Sequence, residues 1–165
     1  MMTSEDESNR LYKWRTGGNC PAGGGFGNNS TCGSYLSQVG GGDDARHSEP
    51  FVIGTTQYIA GTATGDHSII YKWMPGSNCL GSGTDCGSSF QTIGGSSWNS
   101  WDWKFFNPTG SSEYYLLMAN GAVPSYMYKW IPTLNGSQGC FGKDTASPCD
   151  TVKQNIESSA GDSRK

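Results

Sequence analysis

The chain has 165 residues, with 25 Gly, 12% aromatic residues and a formal net charge of −3. That length holds one domain with a core, and a balance of Gly, Ser, Thr and aromatics suits short strands and tight turns rather than helices. With no run of even three Lys or Arg there is no electrostatic footprint for nucleic acid or an anionic membrane, and the longest apolar run, residues 114–119, falls far short of the ~20 residues of a membrane-spanning helix.

Residues 1–10 are acidic and polar and lack the apolar stretch of a signal peptide, so the expectation is a removed secretion signal or a piece of a longer chain. Tyr12-Lys13-Trp14 comes next as an aromatic strand, and Cys20 and Cys32 bracket a Gly-rich loop. A short aliphatic strand at Val39, a connector with Asp43, Asp44 and His47, a Phe51-led strand and an apolar strand through Tyr58 complete the first pass. The same order returns with Tyr71-Lys72-Trp73, Cys79 and Cys86, Ile93, a connector holding Trp98, Trp101 and Trp103, then Phe105 and the apolar stretch 114–119. It starts a third time with Tyr128-Lys129-Trp130, Cys140 and Cys149, and Ile156.

The Tyr-Lys-Trp anchors lie roughly sixty residues apart, a spacing at which self-similarity signals stacked units. Val39, Ile93 and Ile156 keep one distance from the second cysteine of each pair, and Phe51 and Phe105 keep one distance from Val39 and Ile93. Each unit predicts four strands. Ile69, Tyr71 and Trp73 alternate with Ile70 and Lys72, whereas residues 114–119 are apolar on both faces, as in a strand covered on both sides. A sheet of that kind must stack on neighbours. The expected architecture is therefore all-β, with β-propeller-type repeats of four-stranded antiparallel blades in an incomplete ring. One domain spans 1–165, with units near 12–70 and 71–127 and a partial one over 128–165.

The six cysteines form no Cys-x-x-Cys and have only His47 and His67 beside them, so zinc-site spacing is absent and disulfides are expected. Asn28, Asn29 and Asn135 head glycosylation sequons in the loops between an aromatic motif and a cysteine, which agrees with an extracellular setting. Because Tyr-Lys-Trp recurs in every unit, its expected role is packing between units with the Lys beside an aromatic face. Trp98, Trp101 and Trp103 stand where the repeat stops repeating and are the candidate binding residues, with packing under the loop as the competing role. His47 and His67 have no nucleophile context, and Asp43, Asp44 and Asp66 lack calcium-loop spacing, so neither catalysis, metal nor cofactor is expected.

Several of these residues form one pattern: Phe105, Tyr115-Leu116, Ala119-Asn120, Ser125, Tyr128-Lys129-Trp130, together with Phe90-Gln91-Thr92-Ile93 and Trp101-Asp102-Trp103-Lys104-Phe105. This pattern resembles the EAR repeat, also called the epitempin or EPTP repeat, of the leucine-rich glioma-inactivated proteins and the thrombospondin-type laminin G protein with EAR repeats. It covers most of residues 8–158. The resemblance implies a seven-bladed extracellular propeller that binds proteins without catalysis. The expected function is thus a protein-binding or adhesion module for an extracellular protein or glycoprotein. A lectin-like carbohydrate-binding propeller, with Trp98, Trp101 or Trp103 stacking on a sugar, is the alternative. Two departures are the cysteine pair in every unit and the count of about two and a half units, where seven need about 400 residues. Open edges would be covered by self-association or by the remaining repeats of a longer chain.

Non-reducing peptide mass spectrometry is expected to link Cys20 to Cys32, Cys79 to Cys86 and Cys140 to Cys149. A link from one unit to another contradicts the unit assignment.

Overall fold

The computed structural model describes residues 2–4, 7–28, 30–39, 46–62, 67–94, 99–121, 123–134, 138–142, 149 and 154–156. Their regular structure is all β, and every strand pairing is antiparallel. An N-terminal group holds β1 (Met2–Ser4), β2 (Glu7–Leu11), β3 (Lys13–Arg15), β4 (Gly25–Gly27) and β5 (Ser37–Val39). It forms a three-stranded sheet β1-β2-β5 and a two-stranded sheet β3-β4. The middle sheet holds β6 (Ser48–Ile53), β7 (Thr56–Gly61), β8 (Ser68–Met74), β9 (Cys79–Gly81) and β10 (Gln91–Ile93). The C-terminal sheet holds β11 (Ser100–Phe106), β12 (Tyr115–Asn120), β13 (Tyr126–Ile131), β14 (Cys140–Gly142) and β15 (Gln154–Asn155). These are open sheets, and the described strands close no ring.

The middle and C-terminal sheets share one plan: three full strands in sequence, then a fourth position split into two short pieces. Lys72 pairs with Tyr58 on one edge and Gly81 on the other, while Ile70 pairs with Ala60 and Gln91, so β9 and β10 lie end to end along β8. Lys129 sits likewise between Tyr115 and Gly142, and Met127 between Leu117 and Gln154. The sheets therefore have five strands where four were expected, because the cysteine loop interrupts the last one. They also place each Tyr-Lys-Trp strand with the Phe-led strand before it, so the sheet border falls between residues 94 and 99.

Disulfides join Cys20 to Cys32, Cys79 to Cys86 and Cys140 to Cys149, with Cα atoms 5.2, 5.8 and 5.7 Å apart, well within bridging reach. In the first two loops the second cysteine bridges back to Gly27 or Gly81. A Cβ at either glycine would lie 2.0 Å from a loop carbonyl, of Thr31 or Asp85, so the crossing admits no side chain. Gly24, Asn78 and Gly139, each entering the short strand after the motif, share a left-handed backbone with φ of 94°, 51° and 76°. Trp14 and Trp130 lie against Gly24 and Gly139. The Trp of the motif thus covers its own sheet's turn.

The middle sheet is packed on both faces. Ile59, Ile69, Tyr71, Trp73 and Leu80 meet Leu11 and Val39 of the N-terminal group. On the opposite face Phe51, Tyr58, Ala60, Ile70, Phe90 and Ile93 meet Trp103, Leu116, Met118, Tyr128, Trp130 and Phe141. Phe51 stacks on Phe105 with centroids 4.8 Å apart, and Trp130 is tilted against Tyr58 at 5.6 Å. Each such side chain, fully buried, contributes roughly 1.5–3 kcal/mol relative to exposure. Phe51 and Phe105 are equidistant from their aliphatic residues in sequence, yet they point from opposite faces of their sheets. Phe51 lies opposite Tyr58 and so in line with Lys72, whereas Phe105 lies opposite Leu116 and in line with Tyr128, one register step away. That slip brings the two rings together across the interface.

A buried amide also crosses the same interface. The buried Gln91 donates from Nε2 to the Phe141 carbonyl at 2.8 Å and accepts from the Phe141 N–H at 2.9 Å. One amide thereby satisfies both main-chain groups of a residue in the next sheet. Gln91→Ala leaves that donor and acceptor buried without their partner and is expected to lower unfolding free energy by about 2–3 kcal/mol in urea titration. Gln91→Glu, which turns the amide donor into an acceptor facing a carbonyl, is expected to cost at least as much. A loss under about 0.5 kcal/mol for both would show that the contact does not hold the sheets.

Candidate functional site

The connector into β11 meets the start of β6 at one corner of the interface. Thr62, fully buried, pins the segment before β6: its Oγ1 accepts from the N–H groups of Arg46 (3.0 Å) and His47 (2.7 Å) and donates to the His47 carbonyl (3.1 Å). Across the corner, Ser100 Oγ donates to Asn120 Oδ1 (3.1 Å), and Asn120 Nδ2 donates to the Pro124 carbonyl (3.1 Å). Ser100, Asn120 and Ser125 are all buried, so this polar lock sets the turn beside β11.

Between these supports lie Trp101 and a charged row. The Arg46 guanidinium sits 3.8 Å from the Trp101 ring centroid, and the indole edge rests against Gly121, where a Cβ would come within 2.3 Å of Nε1. His47 Nε2 is 3.2 Å from Asp102 Oδ1, and Lys104 Nζ is 3.1 Å from Glu49 Oε1. The Glu49 side chain is nearly buried and also accepts from the Phe105 N–H at 3.0 Å. A carboxylate so placed needs that main-chain donor and the lysine to offset its desolvation. The row therefore ties β6 to β11 and leaves Asp102 and Lys104 exposed beside a half-buried indole.

The three candidate tryptophans part company here. Trp98 lies outside the described residues. Trp103 is 0% exposed and packs 6.2 Å from Tyr128, so its place in a binding surface is corrected to a core role: no ligand reaches a ring closed in by Met118 and Leu116. Trp101 alone of the described pair keeps an accessible part. Arg46 and His47 were missed as partners of the aromatic connector, and only their position opposite it in the segment leading into β6, which sequence does not give, could have found them. His67 instead turns inward, with Nδ1 2.7 Å from the Gly94 carbonyl. Asn28 folds its side chain back, Oδ1 accepting from the N–H groups of Ser30 and Thr31 at 2.7 Å each, while Asn29 and Asn135 lie outside the described residues.

The Tyr-Lys-Trp motifs are packing elements in the two larger sheets. Tyr71 is buried, and burial pushes its phenol up from 10.0. Lys129 does not rest on an aromatic face but pairs with Glu113, whose other oxygen accepts from the Tyr115 hydroxyl. The hydrogen bond from Lys129, then that from Tyr115, holds the Glu113 carboxyl below its ordinary 4.5, and the same bond raises the Lys129 ammonium above 10.5.

Comparison with protein-family models, with curated proteins and with solved structures found no match.

Because its folded value is depressed, Glu113 adds stability that is present above pH 4.5 and lost as pH falls through the lower folded value. Lys129 adds stability present below 10.5 and lost as pH rises through its raised value. Carboxyl-carbon NMR titration is expected to place Glu113 below 4.5 and to return it toward 4.5 in Lys129→Met. An unchanged midpoint in that variant would remove the pair from the account.

Proposed function

We propose that the protein is an extracellular, non-catalytic protein-binding or adhesion module whose sheets are blades of an EAR-type β-propeller. Its partner would be an extracellular protein or glycoprotein, with neither nucleic acid, membrane insertion nor cofactor involved. The observation that carries this reading is the face-to-face stacking of two sheets of one plan, with β6 and β11 side by side and Phe51 on Phe105. Stacked sheets of this kind present their connectors at the rim, where partners bind. Three intrachain disulfides suit an oxidising compartment, and among the described residues no helix is long and apolar enough to cross a membrane.

The corner at Trp101 supports protein over sugar. Trp and Arg are the residues that dominate protein interfaces, and here they are already stacked, with charges of both signs around them. A sugar would have to displace Arg46 to stack on that ring face. The lectin-like reading rests on the same indole and on its other face.

Binding to an array of purified extracellular ectodomains, run beside a glycan array, separates the two. The expected result is capture of at least one ectodomain, weakened about tenfold or more in Trp101→Ala and in Arg46→Ala with unchanged unfolding. Glycan binding lost in Trp101→Ala would establish the lectin reading instead. Hydrolysis of any glycoside by the pure protein would overturn both.

A further inference from the structure

The cysteine loops leave their sheets at one recurrent place. In the middle sheet β9 and β10 lie end to end along β8, and residues 82–89 run out from that edge between them. In the N-terminal group Lys13 pairs with Gly27 of β4 and Leu11 with Ser37 of β5, so residues 28–35 leave a strand edge in the same way. An edge points away from both faces of a sheet, so a loop carried there is clear of a layer stacked on either face.

Both loops open with the same turn. The Asn28 N–H donates to the Thr31 carbonyl at 2.9 Å, as the Ser82 N–H donates to that of Asp85 at 3.1 Å. In each, the first side chain then holds the two residues that follow the tip. Asn28 Oδ1 accepts from the N–H groups of Ser30 and Thr31 at 2.7 Å each, and Ser82 Oγ accepts from those of Thr84 at 3.3 Å and Asp85 at 3.2 Å. Short polar side chains of this kind suit such turns. The middle sheet is covered on both faces, yet Thr84 and Asp85 stay exposed. The matching turn of the N-terminal group is thus accessible whatever lies over the faces of that group, and Ser30 is exposed there.

The two turns differ in chemistry. Asn28-Asn29-Ser30 is an acceptor sequon for N-linked sugar, and Ser82-Gly83-Thr84 is not. The Asn28 amide is also held in one orientation. Its Oδ1 takes a third bond, from the Thr31 hydroxyl at 3.2 Å, and its main-chain carbonyl accepts from Arg15 Nη1 at 3.3 Å, while Nδ2 makes no hydrogen bond among the described residues. The oxygen end of the amide is therefore committed and the nitrogen end is free to react. An overlapping sequon, Asn29-Ser30-Thr31, depends on the Thr31 hydroxyl, which is already given to Asn28.

We propose that Asn28, and not Asn29, is the glycosylated asparagine of this loop. The donor class is a lipid-diphosphate-linked oligosaccharide. Nδ2 bonds to its anomeric carbon as the bond from that carbon to the diphosphate oxygen breaks, the lipid diphosphate leaves with the electron pair, and one Nδ2 proton passes to a base of the transferase. A sugar in this position stands off a short strand edge, where its bulk and hydration obstruct pairing with another chain. It leaves the Trp101 corner open, since Asn28 belongs to the N-terminal group and that corner to the border of the other two sheets. The proposal rests on the extracellular part of the reading above.

The test is glycopeptide mass spectrometry of the whole chain made in the secretory pathway of a eukaryotic host, read on secreted and cell-retained protein alike. The fragment holding the Cys20–Cys32 bridge is expected to carry N-acetylhexosamine on Asn28. Asn29→Gln and Thr31→Val each remove only the overlapping sequon, and both variants are expected to keep the sugar on Asn28. Sugar on Asn29 in the wild-type chain, its loss from Asn28 in either variant, or an unmodified Asn28 overturns the proposal. Capture of an ectodomain by protein bare at Asn28 would overturn it while leaving the adhesion reading standing. Sugar on Asn28 with no ectodomain captured would support it and overturn the adhesion reading.

Discussion

The interface between the middle and C-terminal sheets is the contact on which the described structure depends. A sheet with apolar side chains on both faces exposes one of them unless another layer covers it, and among the described residues no helix is present to do so. Phe51, Tyr58 and Phe90 on one side and Phe105, Trp130 and Phe141 on the other supply that cover through ring contacts 4.8 to 6.3 Å apart. Apolar packing alone sets no register between two sheets. Gln91 does, because its amide fits one residue's N–H and C=O and no neighbouring pair without shifting the stack.

The middle sheet is covered differently at its two faces. Toward the C-terminal sheet it is fully met, and polar groups collect at the rim, where Arg46, His47 and Glu49 face Trp101, Asp102 and Lys104. Toward the N-terminal group the cover is partial: a cleft opens there, and among the described residues no strand pairs the second edge of residues 11–15. The outer face of that group also leaves Trp14 at 56% and Phe26 at 60% exposed, in edge contact with each other at 5.1 Å. Their counterparts Trp130 and Phe141 are buried in the filled interface. The same motif is thus core or surface according to whether a sheet lies over it, which is why a Tyr-Lys-Trp sequence cannot by itself be read as a ligand site.

Much of the strand content was legible in sequence. Alternation placed Ile69, Tyr71 and Trp73 on one face and Ile70 on the other, as found, and cysteine spacing gave the three pairings. Local pattern reports local facts well. It did not show where one sheet ends, because sheet membership is decided by hydrogen bonds between strands and not by where a motif recurs. Nor did it show that Phe51 and Phe105 face each other: equal spacing implied equal faces, and a one-residue register difference reversed one of them. Gln91 was visible only as a motif letter. Nothing local marks His47, since its partner Asp102 is distant in the chain and comes close only through stacking. Trp103 looked like a rim aromatic, yet alternation along β11 turns it into the core and leaves Asp102 and Lys104 outside.

The most direct test of the stacked-sheet account is the proximity of two rings that sequence spacing alone would keep apart. In protein selectively labelled at phenylalanine, nuclear Overhauser contacts between the Phe51 and Phe105 ring protons are predicted, together with contacts from Phe51 to Phe141, matching centroid separations of 4.8 and 5.8 Å. Their absence, with the Phe51 ring instead in contact with Leu11 or Val39 of the N-terminal group, would contradict the account.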